Sequence, residues 1–110
     1  LEYYLADRGR QKDFERAFDI DNYLEQITND YLNKGCLSKR QLGIALDTRG
    51  YLRYKAIREN YKPENNDIFS KTSIDFFAKA LELVPTDRDI VLNLVEAIKL
   101  SNIIQQKKEK

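Results

Sequence analysis

Four glycines and two prolines are the only strong backbone punctuation in 110 residues. A sandwich or barrel of this length needs a turn roughly every 8–12 residues, and those turns draw heavily on glycine and proline. Long stretches of the chain must therefore run without turning, which favours helices. The apolar residues agree, recurring mostly at steps of three and four rather than two. Hydrophobic residues make up 42% and charged ones 34%, enough apolar material to offset ordering entropy and too much for a disordered chain. The length suits a single domain, residues 1–110.

The pattern predicts about five helices in antiparallel hairpins. Residues 1–8 read as the end of a helix with Tyr4 and Leu5 on its apolar side, closed by Gly9 as a left-handed cap. A second helix is expected from Lys12 to Asn33, carrying Phe14, Ala17, Phe18, Leu24, Ile27 and Tyr31 on one face and ended by Lys34-Gly35. Ser38-Lys39-Arg40-Gln41 is a capping-box pattern that opens a third helix to about Asn60. Leu42, Ala45, Leu46, Leu52, Ala56 and Ile57 share its apolar arc. Gly43 and Gly50, seven apart on one edge of that arc, either admit a close neighbour or mark a break at Gly50. Lys62 to Asp67 reads as a polar loop. A fourth helix is expected from Lys71 to Leu83. A fifth follows, capped by Thr86, with Val91, Leu94, Val95, Ile98 and Leu100 as its apolar face.

One stretch is more specific. Ser73-Ile74-Asp75-Phe76-Phe77-Ala78-Lys79-Ala80-Leu81-Glu82-Leu83-Val84-Pro85 resembles the second helix and exit turn of a tetratricopeptide (TPR) repeat, with Phe77, Ala80 and Pro85 at its aromatic, small-residue and helix-ending positions. Asn93, Leu94 and Ala97 are in register with the first helix of a following repeat, so the resemblance covers about residues 73–100. Val95 stands where the family usually has glycine, and the approach loop at residues 61–70 is longer than the family's. The resemblance implies a right-handed helical array, or a small bundle of TPR-like hairpins, that binds a peptide or a partner protein.

Candidate chemistry is sparse. Histidine is absent, which removes the commonest general base and metal ligand. The single Cys36 offers neither a zinc set nor a Cys–His nucleophile and reads as a small packing residue in a helix connection. Asp19-Ile20-Asp21-Asn22 briefly suggests a calcium loop, but Leu24 occupies the position that needs glycine. Asp13, Glu15 and Asp19 read as a solvated helix face. The expectation is a protein that is not an enzyme and has no cofactor or metal.

Charge is segregated along the chain. Residues 1–31 carry four basic and eight acidic side chains, residues 38–62 seven against two, and residues 63–106 four against seven. Such blocks pair internally or offer a patch to an acidic partner. Arg49 and Arg53 fall inside the apolar arc of the third helix, where arginine needs company. Their heads either pair with acids of a neighbouring helix or line a groove and grip a partner's carboxylate or phosphate. The preferred reading is an interaction or scaffold module for a protein or peptide, with Arg49, Arg53, Asn93, Glu96 and Lys99 as the partner-binding candidates and homo-oligomerisation as an option. The alternative is a nucleic-acid-associated domain using Lys39, Arg40, Arg49, Arg53 and Arg58, with Tyr51 and Tyr54 stacking on bases. A net charge of +1 disfavours it. The lone cysteine, and the lack of an apolar run of about 18–20 residues, point to an intracellular, cytoplasmic protein without membrane contact. Starting at Leu1 without any methionine, the chain is expected to be a fragment of a longer protein.

Overall fold

In the computed structural model, residues 1–33, 35 and 38–109 are described. They form five α-helices: α1 (Glu2–Arg8), α2 (Gln11–Asn33), α3 (Lys39–Arg58), α4 (Asn66–Leu83) and α5 (Arg88–Glu109), with a 3-10 turn at Pro63–Asn65. No strand occurs among the described residues, and the all-α expectation holds. None of these helices is long and apolar enough to cross a membrane. Cys36, Lys34 and the side chain of Tyr31, on which readings were placed above, lie outside the described residues.

The helix ends follow from local chemistry. Gly9 closes α1 at φ 72°, a conformation that costs glycine nothing. Ser38 Oγ accepts the Gln41 amide while Gln41 Oε1 accepts the Ser38 amide, the reciprocal box expected there. The end of α3 is a Schellman turn. Asn60 takes φ 55°, its amide donates to the Ile57 carbonyl, and the Tyr61 amide donates to that of Ala56, satisfying two orphan carbonyls.

Two boundaries differ from expectation. The segment before Lys71 is not a loop, because α4 begins at Asn66. The asparagine and aspartate that read as breakers sit in a 3-10 turn and a first helical turn, where short polar side chains are at home. Phe69 then stacks on Phe18 at 5.3 Å, which anchors the added turn. The cap of α5 is Asp87 rather than Thr86, its Oδ1 accepting from the amides of Asp89 (3.0 Å) and Ile90 (3.3 Å).

Helix α3 is the hub. It packs most extensively on α4 and also touches α1, α2 and α5. One core lies on its α1–α2 side, with Leu5, Ala6, Phe14, Ala17, Leu52 and Ala56 buried and Phe18, Tyr61 and Phe69 against them. The other, on its α4–α5 side, buries Tyr54, Phe77 and Ala97 with Ile74, Leu94 and Leu100 alongside, and Tyr51 joins the two. Several faces are rotated from their expected positions. On α1, Tyr4 is exposed, and Glu2 and Ala6 are buried with Leu5. On α2, Leu24 is exposed. On α5, Ile90 and Ala97 turn inward while Val91, Val95 and Ile98 stay exposed.

Helix α3 runs unbroken through Gly50, so the break does not occur. Gly43 and Gly50 instead admit α4. A methyl group on Gly50 would lie 2.9 Å from two ring carbons of the fully buried Phe77, and one on Gly43 would lie 2.5 Å from a Val84 methyl. Phe77 has nowhere to go, whereas half-buried Val84 at the helix end can turn aside. Gly50→Ala is therefore expected to cost about 1–2 kcal/mol in chemical denaturation despite its better helix propensity. Gly43→Ala should lose less than half as much.

Candidate functional site

The company of the two arginines is Asp21 of α2, which is fully buried. Arg49 Nε donates to Oδ1 at 2.9 Å, and Arg49 Nη2 reaches Oδ2 at 3.3 Å. Arg53 approaches from the next turn, with Nη1 on Oδ1 at 3.2 Å and Nη2 on Oδ2 at 2.9 Å. Arg53 Nη1 also donates to the Arg49 carbonyl at 2.9 Å, and Arg49 Nη2 lies 3.4 Å from Glu25 Oε2. The ring of Phe76 on α4 covers both guanidiniums, with centroid distances of 4.4 and 4.8 Å. Two planar forks thus share one carboxylate beneath an aromatic lid, a geometry that lysine cannot reproduce.

Glu2 brings α1 into the same cluster. It is 3% exposed, and neither carboxyl oxygen has a hydrogen-bond donor among the described residues. Protonation resolves this, since a neutral Glu2 donates to Asp21. Burial, the Asp21 hydrogen bond and the Asp21 charge push Glu2 up to about 8, against the opposing pull of Arg53 and Arg49. For Asp21, burial acts upward, but the hydrogen bonds from Arg53 and Arg49 win and hold it below the usual carboxylate range. With Glu2 neutral, Asp21 and Glu25 balance the two arginines.

Arg49 and Arg53 are therefore occupied inside the domain, each side chain 13% exposed. The other cations on α3 do not converge with them. Lys39 and Arg40 are exposed at its start, and Arg58, at its end, donates to the Tyr54 hydroxyl at 3.1 Å. At ~1.5 Å per residue those ends are about 28 Å apart. Tyr51 stacks on Tyr3 at 4.6 Å and donates to Asp7, while Tyr54 is buried, so neither ring is presented to a base. The acidic residues expected on one solvated face of α2 do not share one environment. Glu15 and Asp19 are exposed, but Asp13 is buried, because Arg8 across the Gly9 turn grips it at 2.7 and 2.9 Å.

The open concavity lies on the other side of α3. A groove of about 600 Å³ runs between α1, α3 and α5, lined by Tyr3, Ile44, Asp47, Thr48, Asp89, Leu92 and Asn93. Tyr3, Ile44 and Leu92 are 48%, 49% and 62% exposed. Asn93, singled out from the sequence, lies here and donates to Asp47 Oδ1 at 3.0 Å. Glu96 and Lys99 pair with each other on exposed α5 surface and do not line the groove. The rest of the lining went unread because it is drawn from three helices far apart in sequence. A second depression of about 540 Å³ lies near Ile57, Leu100 and Ile103, where Lys108 pairs with Asp67.

Asp21→Asn strands two guanidiniums, a change that ordinarily costs about 3–5 kcal/mol. Here the loss should be smaller, on the order of 2–3 kcal/mol, since Glu2 can ionise in Asp21's place. The double variant E2Q/D21N should then lose more than the sum of its parts in a denaturation cycle. Glu2 also sets a pH dependence. It is raised from 4.5 to about 8 on folding, so the folded state holds its proton more tightly. That contribution is complete below the unfolded value, erodes between about pH 4.5 and 8, and is gone above 8. Glu2→Gln should flatten this decline and be more stable than the parent at pH 9, by on the order of 1–3 kcal/mol. Urea titrations from pH 5 to 9 read the difference.

Set beside protein-family models, curated proteins and solved structures, the chain matches none of them.

Proposed function

We propose that the domain is a protein-interaction module that holds a segment of a partner in the groove between α1, α3 and α5. The observation that carries this reading is three exposed apolar side chains, Tyr3, Ile44 and Leu92, facing one concavity beside the polar groups of Asp47, Thr48 and Asn93. Apolar grooves are a recurring way of holding a peptide segment, and exposed apolar patches commonly mark contact surfaces. The α3 wall is held in place, because α3 is wedged against α4 at Gly50 and tied to α2 through Asp21.

The TPR resemblance at residues 73–100 supports the same reading. In such arrays alternate helices line one face, and here α1 packs on α3, and α3 on α5, with α2 and α4 as their sequence partners. On this reading the contact set comprises Tyr3, Ile44, Leu92 and Asn93. Arg49 and Arg53 serve the scaffold beneath, and the exposed Val91, Val95 and Ile98 remain outside the groove.

Selection from a displayed random-peptide library tests the proposal. Retained peptides should lose binding to Ile44→Gln and Leu92→Gln. Both positions are exposed, so these changes should leave stability within about 0.5 kcal/mol of the parent. Peptides that bind both variants as well as the parent would place the site elsewhere.

A further inference from the structure

The charge lining the groove runs against the average of the molecule. The chain carries a net +1, yet among the described residues the side chains lining the groove that bear charge are Asp47 and Asp89. Asp87 at the α5 cap and Asp89 are both close enough to repel Asp47. Burial pushes the Asp47 carboxyl up, repulsion from these two neighbours adds to the rise, and the bond from Asn93 only partly offsets it. On the α1 side, Asp7 accepts from Tyr51, whose ring stacks on the Tyr3 wall. Among the described residues, no lysine or arginine lines it. Arg40 and Arg88, close by in sequence, are exposed outside it. Among the described residues the carboxylates do not gather tightly enough to hold a metal ion. What the groove lacks is a cation on a stem long enough to cross an apolar wall.

We infer that the groove receives a partner-protein segment carrying lysine or arginine among aliphatic residues, its cation meeting Asp47 and Asp89 and its aliphatic groups covering Tyr3, Ile44 and Leu92. This rests on the groove being a peptide site, as proposed above, and adds the chemistry of its occupant. Lysine and arginine suit the place because their methylene stems lie along apolar surface while the head reaches a carboxylate. The Tyr3 ring offers the same head a π face. Nucleic acid does not suit it, since phosphates would meet carboxylates of the same sign.

The test uses fluorescence anisotropy with the full 110-residue chain and three labelled nonapeptides, in which leucine alternates with lysine, leucine with glutamate, or serine with lysine. The lysine–leucine peptide should bind tightest and weaken as salt rises from about 0.05 to 0.5 M. Asp47→Asn with Asp89→Asn should weaken it on the order of 10-fold, and Ile44→Gln with Leu92→Gln comparably. Glu64→Gln with Glu82→Gln, the same charge change elsewhere, should alter it less than about twofold. Asp87 is left intact because it caps α5, and Asp89→Asn alone serves if the double variant melts early.

Equal weakening by the Glu64 and Glu82 changes, or equal binding of the serine–lysine peptide, overturns the inference. Tighter binding of the glutamate–leucine peptide, lost on changing Ile44 and Leu92, overturns the cation while keeping the groove as a peptide site. Failure of all three peptides, together with an empty library selection, removes both readings. Concentration-dependent self-association abolished by D47N/D89N would identify a second copy of this chain as the occupant and overturn the partner proposal.

Discussion

One carboxylate organises this domain. Asp21 is sealed from water and satisfied only because two arginines one turn apart on α3 fork onto its two oxygens. Removing three charges from water is expensive, and a buried cluster of this kind is a weaker source of stability than apolar packing of equal volume. Its stronger effect is on register. A shift of α2 along α3 by one residue would leave the carboxylate or a guanidinium unpaired, whereas leucines would tolerate the slip. Phe76 closes the cluster from α4 and Glu2 from α1, so four of the five helices are positioned by one electrostatic knot.

Around the knot, α3 divides its circumference. At ~100° per residue, Arg49 and Arg53 lie roughly opposite Ile44 and Asp47, and the glycine edge facing α4 lies between them. The polar cluster therefore stiffens the helix whose far side lines the groove. Close approach at Gly50 serves the same end, placing the Phe77 ring where no larger residue would admit it. The mean charge of the block 38–62 says little about the groove, because Arg49 and Arg53 spend theirs inside and the charged α3 side chain described in the groove lining is Asp47.

Much of the fold is legible in the sequence. The Ser38 capping box, the Gly9 cap, the close-approach option for the glycine pair and the need of Arg49 and Arg53 for anions all follow from short-range rules that act within a turn or two of helix. Most of the differences share one cause. Asn and Asp read as breakers near Asn66, Asp13 read as solvated, and Val91, Val95 and Ile98 read as core, because composition alone assigns polar residues to water and apolar residues to the interior. The Phe18 ring, the Arg8 fork and the placement of α5 at the edge of the bundle reversed those assignments.

Periodicity and punctuation in the sequence alone thus determined that the chain is helical, how many helices it forms, and where most of them end. Those are properties of backbone and nearest neighbours. Only the tertiary structure chose Asp21 among eight acidic residues of the first 31 as the partner of the arginines. Only it turned Glu2 into a buried, proton-holding acid, and brought Tyr3, Ile44, Asp89 and Leu92 to one groove. Such choices depend on which helix faces meet, and residues as far apart in sequence as Asp21 and the arginines, 28 and 32 positions, carry no local sign of one another.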